Sequence, residues 1–70
     1  MEDLKKENIG SHAGHIWHLL HQRGLLSIRQ IGELTSYKES IIYLSLGWLA
    51  RENKIKFLTT HSNILVRLKQ

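Results

Sequence analysis

The strongest constraint on this chain is a pair of capping boxes nine residues apart, Ser27-Ile28-Arg29-Gln30 and Ser36-Tyr37-Lys38-Glu39. In each, the serine hydroxyl can accept the backbone N–H three residues on, while Gln30 or Glu39 reaches back to the serine N–H. Each box therefore predicts the start of a helix, and the first helix has room for about two turns before the second begins. Ile28, Ile31 and Leu34 give the first one an apolar face that ends near Thr35. The next helix runs to about Glu52 or Asn53. Two helices joined by so tight a turn predict a helix-turn-helix.

The flanks extend this pattern. Ile9, Ala13, Ile16, Trp17 and Leu20 recur at three- and four-residue spacing and predict a helix from Asn8 to Arg23. Asn8 is expected to cap its start and Gly24 to stop it. Gly10 and Gly14 inside that helix suggest close approach by a neighbouring element, because mid-helix glycine costs up to about 1 kcal/mol against alanine. Residues 1–7 are charged and aperiodic and read as a flexible leader; residues 8–70 read as one domain. Leu25 and Leu26 form a short apolar link. After Asn53-Lys54 the apolar period falls to two. Residues 55–59 and 64–68 then predict strands around a polar turn, Thr60 to Asn63. Ile55 and Phe57 are expected to share a buried face with Ile64, Val66 and Leu68. Helix, short strand, helix, helix, strand, strand is the element order of a winged helix-turn-helix, an α+β fold with a C-terminal hairpin wing.

Composition sets the limits. The chain has 70 residues, 41% of them apolar, with no cysteine and no proline. One compact core is what such a length can bury, unaided by disulfide or thiolate metal site. No apolar run reaches the roughly 20 residues of a membrane helix, and Met1-Glu2-Asp3-Leu4-Lys5-Lys6 does not resemble a signal peptide. A cytoplasmic protein is the expectation. Ten Lys and Arg against six Asp and Glu give a formal charge of +4, a mild tilt toward anionic partners.

Several segments resemble known proteins. Tyr37, Ile42, Leu46, Leu49 and Ile55 fill the apolar positions of winged-helix regulators, from the turn through the third helix to the start of the wing. Ala13-Gly14-His15-Ile16-Trp17, Gly24-Leu25-Leu26-Ser27-Ile28 and Leu46-Gly47-Trp48-Leu49-Ala50-Arg51-Glu52-Asn53-Lys54-Ile55 resemble a family of short, stand-alone bacterial winged-helix proteins of unknown function. The resemblance covers roughly residues 8 to 68. It implies the fold, and nucleic-acid binding by analogy of fold.

The third helix departs from a reading helix, which normally presents Arg, Lys, Asn, Gln or Ser to the duplex. Ile42, Leu46 and Leu49 make one apolar stripe, and Ile41, Leu44 and Trp48 make a second. A helix that is apolar on two sides is usually covered on both. Either both stripes are core, with Trp48 against Ile16 or Trp17, or the second is an association surface, most simply of a twofold dimer. Gly47 beside it would allow close approach. Leu58 and Leu65, on the outer face of the hairpin, would extend such a patch.

Two functions follow. One is a DNA-binding, transcription-associated protein, with Tyr37, Lys38, Ser40 and Arg51 on the helical face and Lys56, His61 and Arg67 on the wing. The other is an interaction or dimerisation module built on Ile41, Leu44, Trp48, Leu58 and Leu65, without DNA binding. Lysines on an exposed hairpin also discourage edge-to-edge pairing, which offers a second account of the wing's charge. His12, His15, His18 and His21 drift around the first helix, and no carboxylate or cysteine completes a metal site. No phosphate loop, paired carboxylates or nucleophile–base arrangement stands out. No catalysis, cofactor, metal or small-molecule substrate is expected; a homodimer and double-stranded DNA are the expected partners.

Overall fold

The computed structural model describes residues 6–69, with side chains from residue 8 to residue 69. Helix α1 (Lys6–Arg23) leads into strand β1 (Leu25–Ser27), helix α2 (Ile28–Thr35), helix α3 (Glu39–Arg51) and the hairpin of β2 (Ile55–Thr59) and β3 (Ile64–Leu68). The chain is thus the expected α+β winged helix-turn-helix. Helix α1 includes Asn8, so Asn8 is not its cap, and Lys6 and Glu7 are helical; the rest of the expected leader, residues 1–5, lies outside the described residues.

Gly24 ends α1 at a φ of 86°, its N–H donating to the Leu20 carbonyl at 2.8 Å. That left-handed turn suits glycine, which has no Cβ to clash. The chain reverses into β1, which pairs antiparallel with β3 (Leu26 opposite Val66). Strand β2 pairs on the other side of β3 (Phe57 opposite Val66), giving the order β1-β3-β2. Leu26 and Val66 turn one sheet face onto the helices. The core joins Ala13, Ile16 and Leu20 of α1, Ile31 of α2, and Ile42, Leu46 and Leu49 of α3 to these and to Ile55.

Two local expectations are corrected. Phe57 and Ile64 share the inner face but are 46% and 41% exposed, because the distal half of the hairpin reaches past the helices. A Cβ added at Gly10 would sit 3.9 Å from Trp48 Cζ2, an ordinary contact, and one at Gly14 or Gly47 would meet nothing within 4 Å. Close approach within the chain therefore does not explain Gly14, and no element of the same chain crowds Gly47.

Candidate nucleic-acid interface

The first capping box is closed: the Ser27 N–H donates to Gln30 Oε1 at 2.8 Å, and the Gln30 N–H donates to Ser27 Oγ at 3.0 Å. The second does not form. Ser36 instead ends α2 in the left-handed region (φ 61°), its N–H bonded to the Gly32 carbonyl at 2.8 Å. A residue in that conformation cannot also be the extended N-cap of the next helix. Lys38 is the N-cap of α3, with no side-chain capping bond. Thr35 braces the turn instead of capping α3: its hydroxyl donates to the Ile31 carbonyl at 2.7 Å and accepts the Tyr37 N–H at 3.1 Å.

Tyr37, in the turn, is half-buried. Its hydroxyl lies 2.8 Å from His15 Nδ1, and the His12 ring meets it edge-on with centroids 4.6 Å apart. Burial raises the phenol pKa above its ordinary value. Two of the four drifting histidines thereby tie α1 to the helix-turn-helix corner, which spacing alone did not indicate. The other two flank Trp17, His21 stacked and His18 edge-on. Among the described residues no group of three or more His, Cys, Asp or Glu side chains is placed to hold a metal ion.

Helix α3 buries Ile41, Ile42, Ser45, Leu46 and Leu49. The second stripe is therefore divided. Ile41 is 1% exposed and Trp48 is half-buried against the core cluster; only Leu44, at 42%, stands open. Ile41 cannot belong to an association face without opening the fold, because its surface is already covered. Successive steps of about 100° bring Ser40, Tyr43, Leu44, Gly47 and Arg51 onto the solvent side, where all five are exposed. Lys38 is exposed at the start of the helix, so Lys38, Ser40 and Arg51 are accessible, while the Tyr37 hydroxyl is engaged within the fold.

A groove of about 540 Å³ runs between α2, the start of α3 and the wing, lined by Ile28, Arg29, Glu33, Tyr43 and Ile64 among others. Arg29 is paired there with Glu33 at 3.7 Å, and Glu39 adds a second carboxylate, so this groove is a poor place for phosphate.

The wing separates its charges from its tip. His61 is exposed in the turn from Thr60 to Asn63, which holds no Lys or Arg. The register sets Lys56 opposite Arg67, with Leu25 on the other side of Arg67, and Leu58 opposite Leu65. Alternation places all of these on the face turned away from Leu26 and Val66. Leu25 and Leu58 are 45% and 42% exposed, and Leu65 is half-buried. Leu58 and Leu65 are therefore outer-face residues, as expected, but they and Ile41 form no single patch. Lys54 and Lys69 continue this face, the Lys69 N–H donating to the Lys54 carbonyl at 2.9 Å. Lys54, Lys56, Arg67 and Lys69 already stand out in the sequence as the basic group around the wing; what the register adds is that they face one another across the hairpin.

Residues 2–68 match the family model described as a winged helix-turn-helix domain, DUF2582. The uncharacterized protein MJ1608 of Methanocaldococcus jannaschii is 38% identical over 71 residues, spanning 99% of this chain and 100% of that protein. A solved chain, reported under the DNA recognition and protein interaction domains of HOP2, is similar with a TM-score of 0.70 and 19% identity, across 83% of this chain and 98% of that one. At that identity the likeness is one of fold.

Proposed function

Since the chain belongs to the winged helix-turn-helix family DUF2582, we propose that it is a non-catalytic, cytoplasmic protein that binds double-stranded DNA in association with transcription. The observation that carries this reading is the free side of α3. Ser40, Tyr43, Gly47 and Arg51 are solvent-facing on a helix locked in place by the core and by the Tyr37 corner, with Lys38 at its head. Such a surface supplies few donors to base edges, so binding is dominated by phosphate contacts and is weakly selective. Backbone NMR shifts during titration with a labelled duplex at two salt concentrations test it. Shifts on α3 and the wing that fade with salt are expected; no shift at low salt sinks the proposal.

A second reading, a homodimer, rests on Tyr43 and Leu44, which are 49% and 42% exposed side by side on α3. It needs no Ile41, and it uses the same surface that a duplex would cover. Added duplex should therefore dissociate such a dimer in sedimentation.

A further inference from the structure

The chain's charge is not spread over the fold. Residues 53–70 contain no Asp or Glu and four Lys or Arg, so they carry the whole formal excess of +4, while the remaining charges balance. All four, Lys54, Lys56, Arg67 and Lys69, lie on the outer face of the hairpin in two facing pairs, Lys56 opposite Arg67 and Lys54 opposite Lys69. Like charges directly opposite one another destabilise a sheet. Among the described residues the compensation is slight: Glu52 lies 3.7 Å from Lys54, and Lys69 Nζ donates to the neutral Asn53 Oδ1 at 2.7 Å. Protection of an open edge explains lysines on β2, which is an edge strand. It does not explain Arg67, because β3 is the central strand and has no open edge. Arg67 is also half-buried beside Leu25 and Leu58, where solvent screens its charge less than it would on an open surface.

We propose that this outer sheet face is a phosphodiester-binding surface, and that the ladder of Lys54, Lys56, Arg67 and Lys69 supplies most of the protein's affinity for nucleic acid without reading sequence. The inference rests on the DNA-binding reading but moves the main contact from α3 and the wing tip to the base of the wing. The destabilising opposition of cations then has a use, since a polyanion relieves it on binding.

The test compares wild type with Lys56→Gln/Arg67→Gln and with Lys38→Gln/Arg51→Gln, using a fluorescent duplex from low to moderate salt. The sheet variant should lose at least about tenfold in affinity at low salt, and its slope of log K against log salt should be shallower by about 1.8, as for two lost phosphate contacts. The helix variant should change less. Relief of the like-charge pair should also raise the sheet variant's melting temperature by roughly 1–5 °C, so lost binding cannot be ascribed to lost folding. A sheet variant that binds as wild type does, while wild type binds, overturns the ladder alone. A wild type that binds no duplex even at low salt overturns the DNA reading, and the ladder with it. Binding to phosphatidylserine vesicles without binding to duplex reassigns the face to membranes and overturns the proposal.

Discussion

Tyr37 has the residue types of a nucleic-acid contact around it, yet its chemistry is spent within the fold. A hydroxyl 2.8 Å from His15 Nδ1 and a ring against His12 make it the bolt between α1 and the helix-turn-helix corner. Tyr37→Phe should cost about 0.5–1 kcal/mol at neutral pH, the net value of one partly exposed hydrogen bond. The alkaline limb gives a sharper signature. With its pKa raised in the native state, the phenol holds its proton at a pH where the unfolded chain has lost it. Stabilisation from Tyr37 is therefore complete below about pH 10 and declines as pH rises through the native value. Urea unfolding from pH 7 to 11 should show the gap between wild type and Tyr37→Phe closing above pH 10. A gap constant across that range would show that the phenol is not held by its surroundings. Sequence pattern could not find this pair, because His15 and Tyr37 are 22 residues apart and meet only through packing.

At the scale of elements, legibility followed how local the determinant was. The capping box at Ser27 and the strands 55–59 and 64–68 depend on neighbours in sequence, and they form where periodicity placed them. The box at Ser36 has the same letters as the first, but Ser36 had a competing duty in closing α2. Ser36 serves one of two overlapping local motifs, and the letters of neither motif say which one forms. The glycines teach the same lesson from the opposite side. Gly14 and Gly47 suggest close approach, and within one copy the space beside them is open. Helix propensity alone then sets the effect of replacing them: Gly47→Ala should stabilise the protein by about 0.8–1.0 kcal/mol. Ser27→Ala should cost about 1 kcal/mol through loss of the working cap. Thermal melts of both variants check the pair, and a destabilised Gly47→Ala would mean that α3 is contacted on its free side.

For the whole molecule, a short chain has little stability to spare: at the usual 0.05–0.15 kcal/mol per residue, seventy residues hold about 4–10 kcal/mol. The second apolar stripe of α3 looked like surplus awaiting a partner, yet one copy consumes most of it. Ile41 is interior, Trp48 packs on the core cluster, and Ile16, Ile31 and Val66, from three different elements, are 0% exposed. The core is closed without self-association, so any dimer adds to a finished fold. That separates two substitutions on the same stripe. Trp48→Glu would place a carboxylate against the core and destabilise the monomer itself, confounding any reading of assembly. Leu44→Glu changes a side chain already 42% exposed and should leave the melting temperature of dilute protein within about 2 °C of wild type. If Tyr43 and Leu44 join two copies, sedimentation at about 0.5 mM should show a wild-type dimer and a Leu44→Glu monomer, and only the wild-type melting temperature should rise with concentration. A wild type that stays monomeric at that concentration removes the dimer and leaves the free side of α3 to the duplex.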